Sequence, residues 1–221
     1  MSGPVIKTKS KIESNVTELL GVVLAGGFSV RMKRDKSAIE YHGIPQWLQA
    51  VQMLKSTCSN VAISCREAQR EQFLNQDVNI VCDKISGLGP MAGIVEVFKT
   101  FPNRAFMILA TDLPFVTSED LLFLRNERNS AKSATCFVNP ENNLPEPMVS
   151  IWEPHAYAQI LGLVSRGITC PRKILLNLDV KLVVPPNLDA IINVNTPDEC
   201  DKALRFFGNH KFNLNQMEQV L

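Results

Sequence analysis

The sequence predicts a doubly wound α/β fold built on a mostly parallel sheet. Two observations carry that prediction. Short β-branched apolar runs alternate with longer segments of helical periodicity, and the first run, LLGVVLA at residues 19–25, is continuously apolar, as strands buried on both faces are. Runs at 61–65 (VAISC) and 78–83 (VNIVCD) supply two further strands. A helix over 45–55 precedes them, with a proline in its first turn, and the polar stretch 67–74 forms a helical link between them. Residues 91–101 are helical in pattern, and AFMILATD at 105–112 is the strongest strand signal in the chain. Thr117 and Asp120 then read as a capping box before LLFLRNE.

After about residue 130 the rhythm changes. Strands at 133–138 and 146–152 flank the turn-rich PENNLP, which is too short for a crossover helix, so this pair is antiparallel. A helix over 154–164 and strands at 180–185 and 190–195 follow. Thr196-Pro197-Asp198-Glu199 opens a final helix with a cap, a proline at the first position and a closing glutamate. The polar segments 1–16 and 208–221 are expected to be tails around a single domain at 17–207.

Composition narrows the function. The chain has 221 residues, and 45% are hydrophobic, enough for a sizeable core. Its formal charge of +1 argues against a nucleic-acid or anionic-membrane surface. No apolar stretch approaches the roughly 18 residues of a membrane span, and the N-terminal residues lack a signal-peptide core, so a cytoplasmic location is expected. Cys58, Cys65, Cys82, Cys136, Cys170 and Cys200 are scattered without a C-x-x-C pair and read as packing residues. His42, His155 and His210 are isolated, so no nucleophilic triad is visible.

The chemistry concentrates at strand ends, where parallel sheets bind ligands. The first strand runs into Leu24-Ala25-Gly26-Gly27, and paired glycines there permit positive φ and let backbone N–H groups approach a phosphate. Between Phe28 and Ser37 stand four cations, Arg31, Lys33, Arg34 and Lys36, against one anion, Asp35, a density suited to a polyphosphate. Neither a Walker A loop nor G-x-G-x-x-G is present. Asp112 ends the 105–112 strand. A turn or cap role is open to it, but Thr117 is better placed as the cap, and opposite a triphosphate a lone carboxylate would hold Mg²⁺. Asp83 ends a third strand before a glycine-rich turn. It reads either as a turn residue or as an acceptor for a base or ribose. Asn193 and Asn195, two apart in a strand, face the same side, although Asn195 also suits the start of the final helix.

LAGGFSVRMKRDKS resembles the signature loop of the nucleotidyltransferases related to molybdenum cofactor guanylyltransferase, written L-A-G-G-x-S-x-R-M-G-x-D-K. The resemblance continues in order through CDKISGLGPMAGI, ATDLPFV, EPMVSIW and NVNTPDE, over about residues 19–206. It implies a Rossmann-like three-layer α/β/α domain of the nucleotide-diphospho-sugar transferase type, with a short antiparallel insertion in the sheet. It implies transfer of GMP from GTP to the phosphate of molybdopterin with Mg²⁺, in a monomer acting beside other cofactor-assembly proteins. By that resemblance Leu24, Ala25, Gly26 and Gly27 cradle GTP, Arg31 and Lys36 hold its phosphates, and Asp83 contacts the nucleoside. Asp112 binds the metal, and Asn193 and Asn195 lie on the molybdopterin side.

Two positions depart from the pattern: Lys33 stands where the family loop has glycine, and Ser64 where it has a nucleoside-contacting asparagine. A non-glycine residue forced to positive φ costs about 1 kcal/mol or more, while a lysine there also offers a further phosphate contact. The alternatives to guanylyl transfer are a related transferase using CTP or another phosphate acceptor, and a catalytically weakened nucleotide-binding protein.

Overall fold

The computed structural model describes residues 18–27, 32, 35–74, 76–85 and 87–218, with side chains through residue 209. Seven strands form one sheet: β1 (Leu19–Leu24), β2 (Asn60–Cys65), β3 (Asn79–Cys82), β4 (Ala105–Ala110), β5 (Ala134–Asn139), β6 (Leu144–Trp152) and β7 (Val180–Val183). Their order is β3-β2-β1-β4-β6-β5-β7. All the pairings are parallel except those of β6, which runs against both β4 and β5. The antiparallel hairpin expected from PENNLP is therefore the insertion of one reversed strand into an otherwise parallel sheet.

Helices cover both faces. They are α1 (Gln46–Thr57), α2 (Pro90–Thr100), α3 (Ser118–Asn126), α4 (Ala156–Ser165), α5 (Pro171–Leu175) and α6 (Pro197–Glu218). Strand alternation sorts the core into two layers. Met107 and Leu109 of β4 join α1 and α3 residues such as Leu54 and Leu121. Phe106 and Ile108 turn the other way, to Ile94 and Phe98 of α2, Ile160 of α4 and Ile174 of α5. At Gly21 a Cβ would stand 2.9 Å from that of Leu54, so the glycine lets α1 lie close against β1.

A third, smaller cluster lies outside this sandwich. Met32, Ile39 and Tyr41 pack on Val194, Cys200 and Ala203, with Phe115 and Phe207 against them. It fastens the chain that follows the glycine turn to the start of α6.

Several elements differ from the sequence expectation. Residues 190–195 are not a strand. Asn187 accepts a hydrogen bond from the Asp189 N–H and opens a 3₁₀ turn at Leu188–Ile191, and Val194 donates to the Asp112 carbonyl. The link between β2 and β3 is a 3₁₀ helix at Glu67–Phe73, and α5 is a helix that the apolar pattern does not announce. The expected N-terminal tail lies outside the described residues, and α6 extends to Glu218, into the range assigned to the C-terminal tail. Cys58, Cys65, Cys136 and Cys200 are buried, as packing residues should be. Cys82 is half-buried, and Cys170, just before α5, is exposed, so the packing expectation fails for it.

A buried ion pair joins the layers. Arg128, beyond α3, donates from Nε and Nη2 to the two carboxylate oxygens of Glu153 at 2.6 and 2.9 Å, and both side chains are over nine-tenths buried. Arg128→Ala would strand the Glu153 carboxylate, so denaturant unfolding is expected to show a loss of about 3–5 kcal/mol. A loss under about 1 kcal/mol would contradict this.

Candidate nucleotide site

The carboxyl ends of β1, β2, β3 and β4 open into a cavity of about 420 Å³, a volume suited to a nucleotide. Leu24, Ala25, Gly26, Gly27, Lys36, Asp83 and Asp112, all singled out in the sequence, line it. Arg31 and Lys33 lie outside the described residues.

The glycines act differently from the expectation. Neither Gly26 nor Gly27 has positive φ; among the described glycines that conformation belongs to Gly43, Gly87, Gly89 and Gly167. What Gly26 supplies is space, because a Cβ on it would stand 2.6 Å from Oδ2 of Asp83. Gly93, in the first turn of α2, does the same from the opposite side, where a Cβ would collide with the Ser64 hydroxyl and crowd Asp83. Positive φ at Gly87 and Gly89 shapes the turn that brings α2 to this position.

Asp83 is thus confined by two glycines and Ser64, whose hydroxyl donates to its Oδ1 at 3.0 Å. Burial pushes its carboxyl upward, and that hydrogen bond opposes the shift. Ser64, the second departure from the family pattern, therefore touches the nucleoside-contacting candidate directly.

The Thr117 capping box forms: the Thr117 hydroxyl accepts from the Asp120 N–H, and the Asp120 carboxylate accepts from the Thr117 N–H. Asp112 is consequently not a cap. Its Oδ1 is buried with no hydrogen-bond partner among the described residues. Burial raises its carboxyl to about 6, against the lowering pull of Lys36, while nearby Glu146 reinforces the rise. An orphaned hard oxygen fits Mg²⁺, which takes one or two carboxylates and completes its shell with phosphate oxygens and water. No cluster of three or more His, Cys, Asp or Glu side chains gathers among the described residues.

Lys36 is aimed by the C-terminal segment. Its Nζ donates to Oδ1 of Asn195 at 2.6 Å. Asn195 is free to accept because Thr196 and Glu199 form the α6 cap: Glu199 accepts from the Asn195 and Thr196 N–H groups, and the Thr196 hydroxyl accepts from that of Glu199. With residues 190–195 not a strand, the same-face expectation for Asn193 and Asn195 is corrected. Asn193 instead donates to Glu146 Oε2 and lines a second cavity of about 90 Å³ with Glu146, Arg172 and Asn139.

Glu146 reaches that place through a bulge. Cys136 pairs with Ser150 and Phe137 with Glu146, so β6 carries three extra residues between them. Met148, within the bulge, lines the nucleotide cavity, while Glu146 pairs with Arg172 at 3.2 Å. Sequence reasoning missed Glu146, Arg172, Arg66 and Gln69. Arg66 was findable, since it immediately follows a parallel strand at the ligand edge; the others depend on tertiary pairing.

These features define a class: an α/β nucleotide-binding domain whose glycine turn, lysine and carboxylate converge at the carboxyl edge of a parallel sheet. Residues 21–181 match the family model described as the MobA-like NTP transferase domain, and the chain belongs to that family, whose members are nucleotidyltransferases. It is 32% identical over 193 residues to a molybdenum cofactor biosynthesis bifunctional protein of Synechocystis sp., covering 87% of this chain and 56% of that one. The chain thus spans little more than half the length of that relative. A molybdenum cofactor guanylyltransferase of Pseudomonas fluorescens is 29% identical over 80% of this chain and 89% of its own. Among solved structures, the molybdopterin-guanine dinucleotide biosynthesis protein A of Archaeoglobus fulgidus superposes with a TM-score of 0.69 at 21% identity, over 86% of this chain and 99% of that one. A Methanothermobacter nucleotidyl transferase does so with 0.71 at 14% identity, over 87% and 99%. Both share the fold. Among the described residues no helix is long and apolar enough to cross a membrane.

The state of Asp112 has a measurable consequence. Its folded carboxyl binds a proton more tightly than the unfolded one, whose ordinary value is 3.8, so its contribution to stability is present at low pH and is lost as pH rises through about 4 to 6. Asp112→Asn removes that loss. Thermal melts of metal-free protein should show the variant gaining on the wild type between pH 4 and pH 8, and an offset that is constant with pH would contradict the assignment.

Proposed function

We propose that the chain transfers GMP from GTP to the terminal phosphate of molybdopterin, releasing pyrophosphate, with Mg²⁺ as cofactor. The observation that carries this reading is the orphaned oxygen of Asp112, set in a glycine-lined cavity within the electrostatic reach of Lys36. The choice of guanine and of a molybdenum cofactor acceptor is supported by the names of the relatives.

The attacking group is a phosphate monoester, whose second pKa of about 6 leaves it largely ionised at pH 7. No general base is needed. The residues have instead to align the phosphates and neutralise their charge. Gly26 and Gly27 let the main chain approach the phosphates, and Lys36, steadied by Asn195, supplies positive charge. Asp83 and Ser64 face the nucleoside, and Asn193, with Glu146 and Arg172, forms the acceptor side. Asp112 would hold Mg²⁺, which when bound screens the phosphate charge. An acceptor oxygen forms a bond to the α-phosphorus as the bond to the β-phosphate bridging oxygen breaks, and pyrophosphate leaves with that electron pair.

Pyrophosphate release in mixtures of the protein, Mg²⁺, molybdopterin and each nucleoside triphosphate in turn tests this. GTP should support turnover, and Asp112→Ala should lower it by about a hundredfold or more. Release with CTP alone would change the base, and release with none despite measurable GTP binding would rule out the enzyme.

A further inference from the structure

We propose that Gln69 is a positioning residue of the nucleotide site, holding the entry to the glycine turn, the Asp35 carboxylate and the Arg66 side chain through one buried amide. The inference rests on reading the 420 Å³ cavity as the nucleotide site and extends that reading to a residue outside the cavity wall.

Gln69 lies in the 3₁₀ helix at Glu67–Phe73 and is 3% exposed. Its Nε2 donates to the carbonyl of Ala25, where β1 enters the turn, at 3.2 Å. The same nitrogen donates to Oδ2 of Asp35, immediately before Lys36, at 2.8 Å. Its Oε1 accepts from the Arg66 backbone N–H at 3.2 Å and from the Arg66 Nε at 3.1 Å. A carbonyl and a carboxylate demand a donor, and two N–H groups demand an acceptor, so one orientation of the amide satisfies all four. Neither Glu nor Leu at this position can do so.

Both clamped residues matter to the ligand. Ala25 and Asp35 line the cavity, next to Gly26 and to Lys36 respectively. Asp35 also caps the turn that carries Lys36, accepting from the Ser37 N–H at 2.9 Å and the Ser37 hydroxyl at 2.7 Å. Arg66 lines the cavity too, and Gln69 holds its Nε. A single side chain thus ties the start of the glycine turn to Asp35, beside Lys36, and to an adjacent cation. The entropy of ordering this segment is met before a nucleotide arrives, which is the use of preorganisation.

Gln69→Glu isolates the donor half. It keeps an acceptor for Arg66 but places a carboxylate against Asp35 and the Ala25 carbonyl. Adding Asp35→Asn restores the 69–35 bond with its polarity reversed, since the new amide can donate to Glu while its oxygen still caps Ser37. Calorimetric titration with GTP and with guanosine separates positioning of the phosphates from general damage. The expected result is about tenfold weaker GTP binding by Gln69→Glu, guanosine binding within about twofold of the wild type, and recovery of GTP binding in the double variant. Unchanged GTP affinity, equal loss for both ligands, or no recovery would overturn the proposal. If the wild type binds no nucleoside triphosphate, the nucleotide reading itself fails, and amide hydrogen exchange of the free protein then decides the positioning role. Faster exchange in the peptide from Ala25 to Ser37 in Gln69→Glu, reversed in the double variant, supports it; unchanged exchange overturns it.

Discussion

Burying a carboxylate without a full set of partners is costly, and Asp112 does this at the one edge of the sheet where ligands can reach it. The neighbouring groups define its state. Desolvation and Glu146 raise its carboxyl, and Lys36 restrains the rise. A positive charge placed beside Asp112 would offset that cost. The other features of the cavity keep this arrangement in place. The Asp112 carbonyl accepts from Val194, the residue before the Asn195 that holds Lys36, and so the chain leaving β4 and the chain entering α6 are fixed to one another.

The small core around Met32, Tyr41 and Cys200 fixes Met32 and Ile39, on either side of Lys36, against the start of α6. The reversed strand β6 contributes in a different manner. Its bulge sets Glu146, still paired with Phe137, beside Asn193 and Arg172 and leaves Met148 in the wall of the 420 Å³ cavity. Two neighbouring cavities are thereby served by side chains two residues apart.

The layered sheet and the nucleotide side were legible in the sequence because they rest on local signals. Continuous apolar runs marked β1 and β4, and the ligand-edge rule then pointed to Gly26, Asp83 and Asp112. The positive φ expected at Gly26 is absent, since close approach to Asp83 is a tertiary fact, whereas positive φ is the use that two adjacent glycines suggest in isolation. Residues 190–195 looked like a strand because Ile191, Ile192 and Val194 alternate poorly but are β-branched; the Asn187 cap and the bond to Asp112 prevailed. Gln69 was invisible for a plainer reason. A glutamine in a polar helical stretch reads as solvent-facing, and only the fold brings Ala25, Asp35 and Arg66 to it.

The central claim is that Asp112 is the anchor of a cation shared with a triphosphate. Measuring GTP affinity as a function of Mg²⁺ in the wild type and in Asp112→Asn tests it most directly. Mg²⁺ is expected to tighten GTP binding to the wild type by about tenfold or more and to leave the variant insensitive. Mg²⁺ dependence of equal size in both proteins would contradict it.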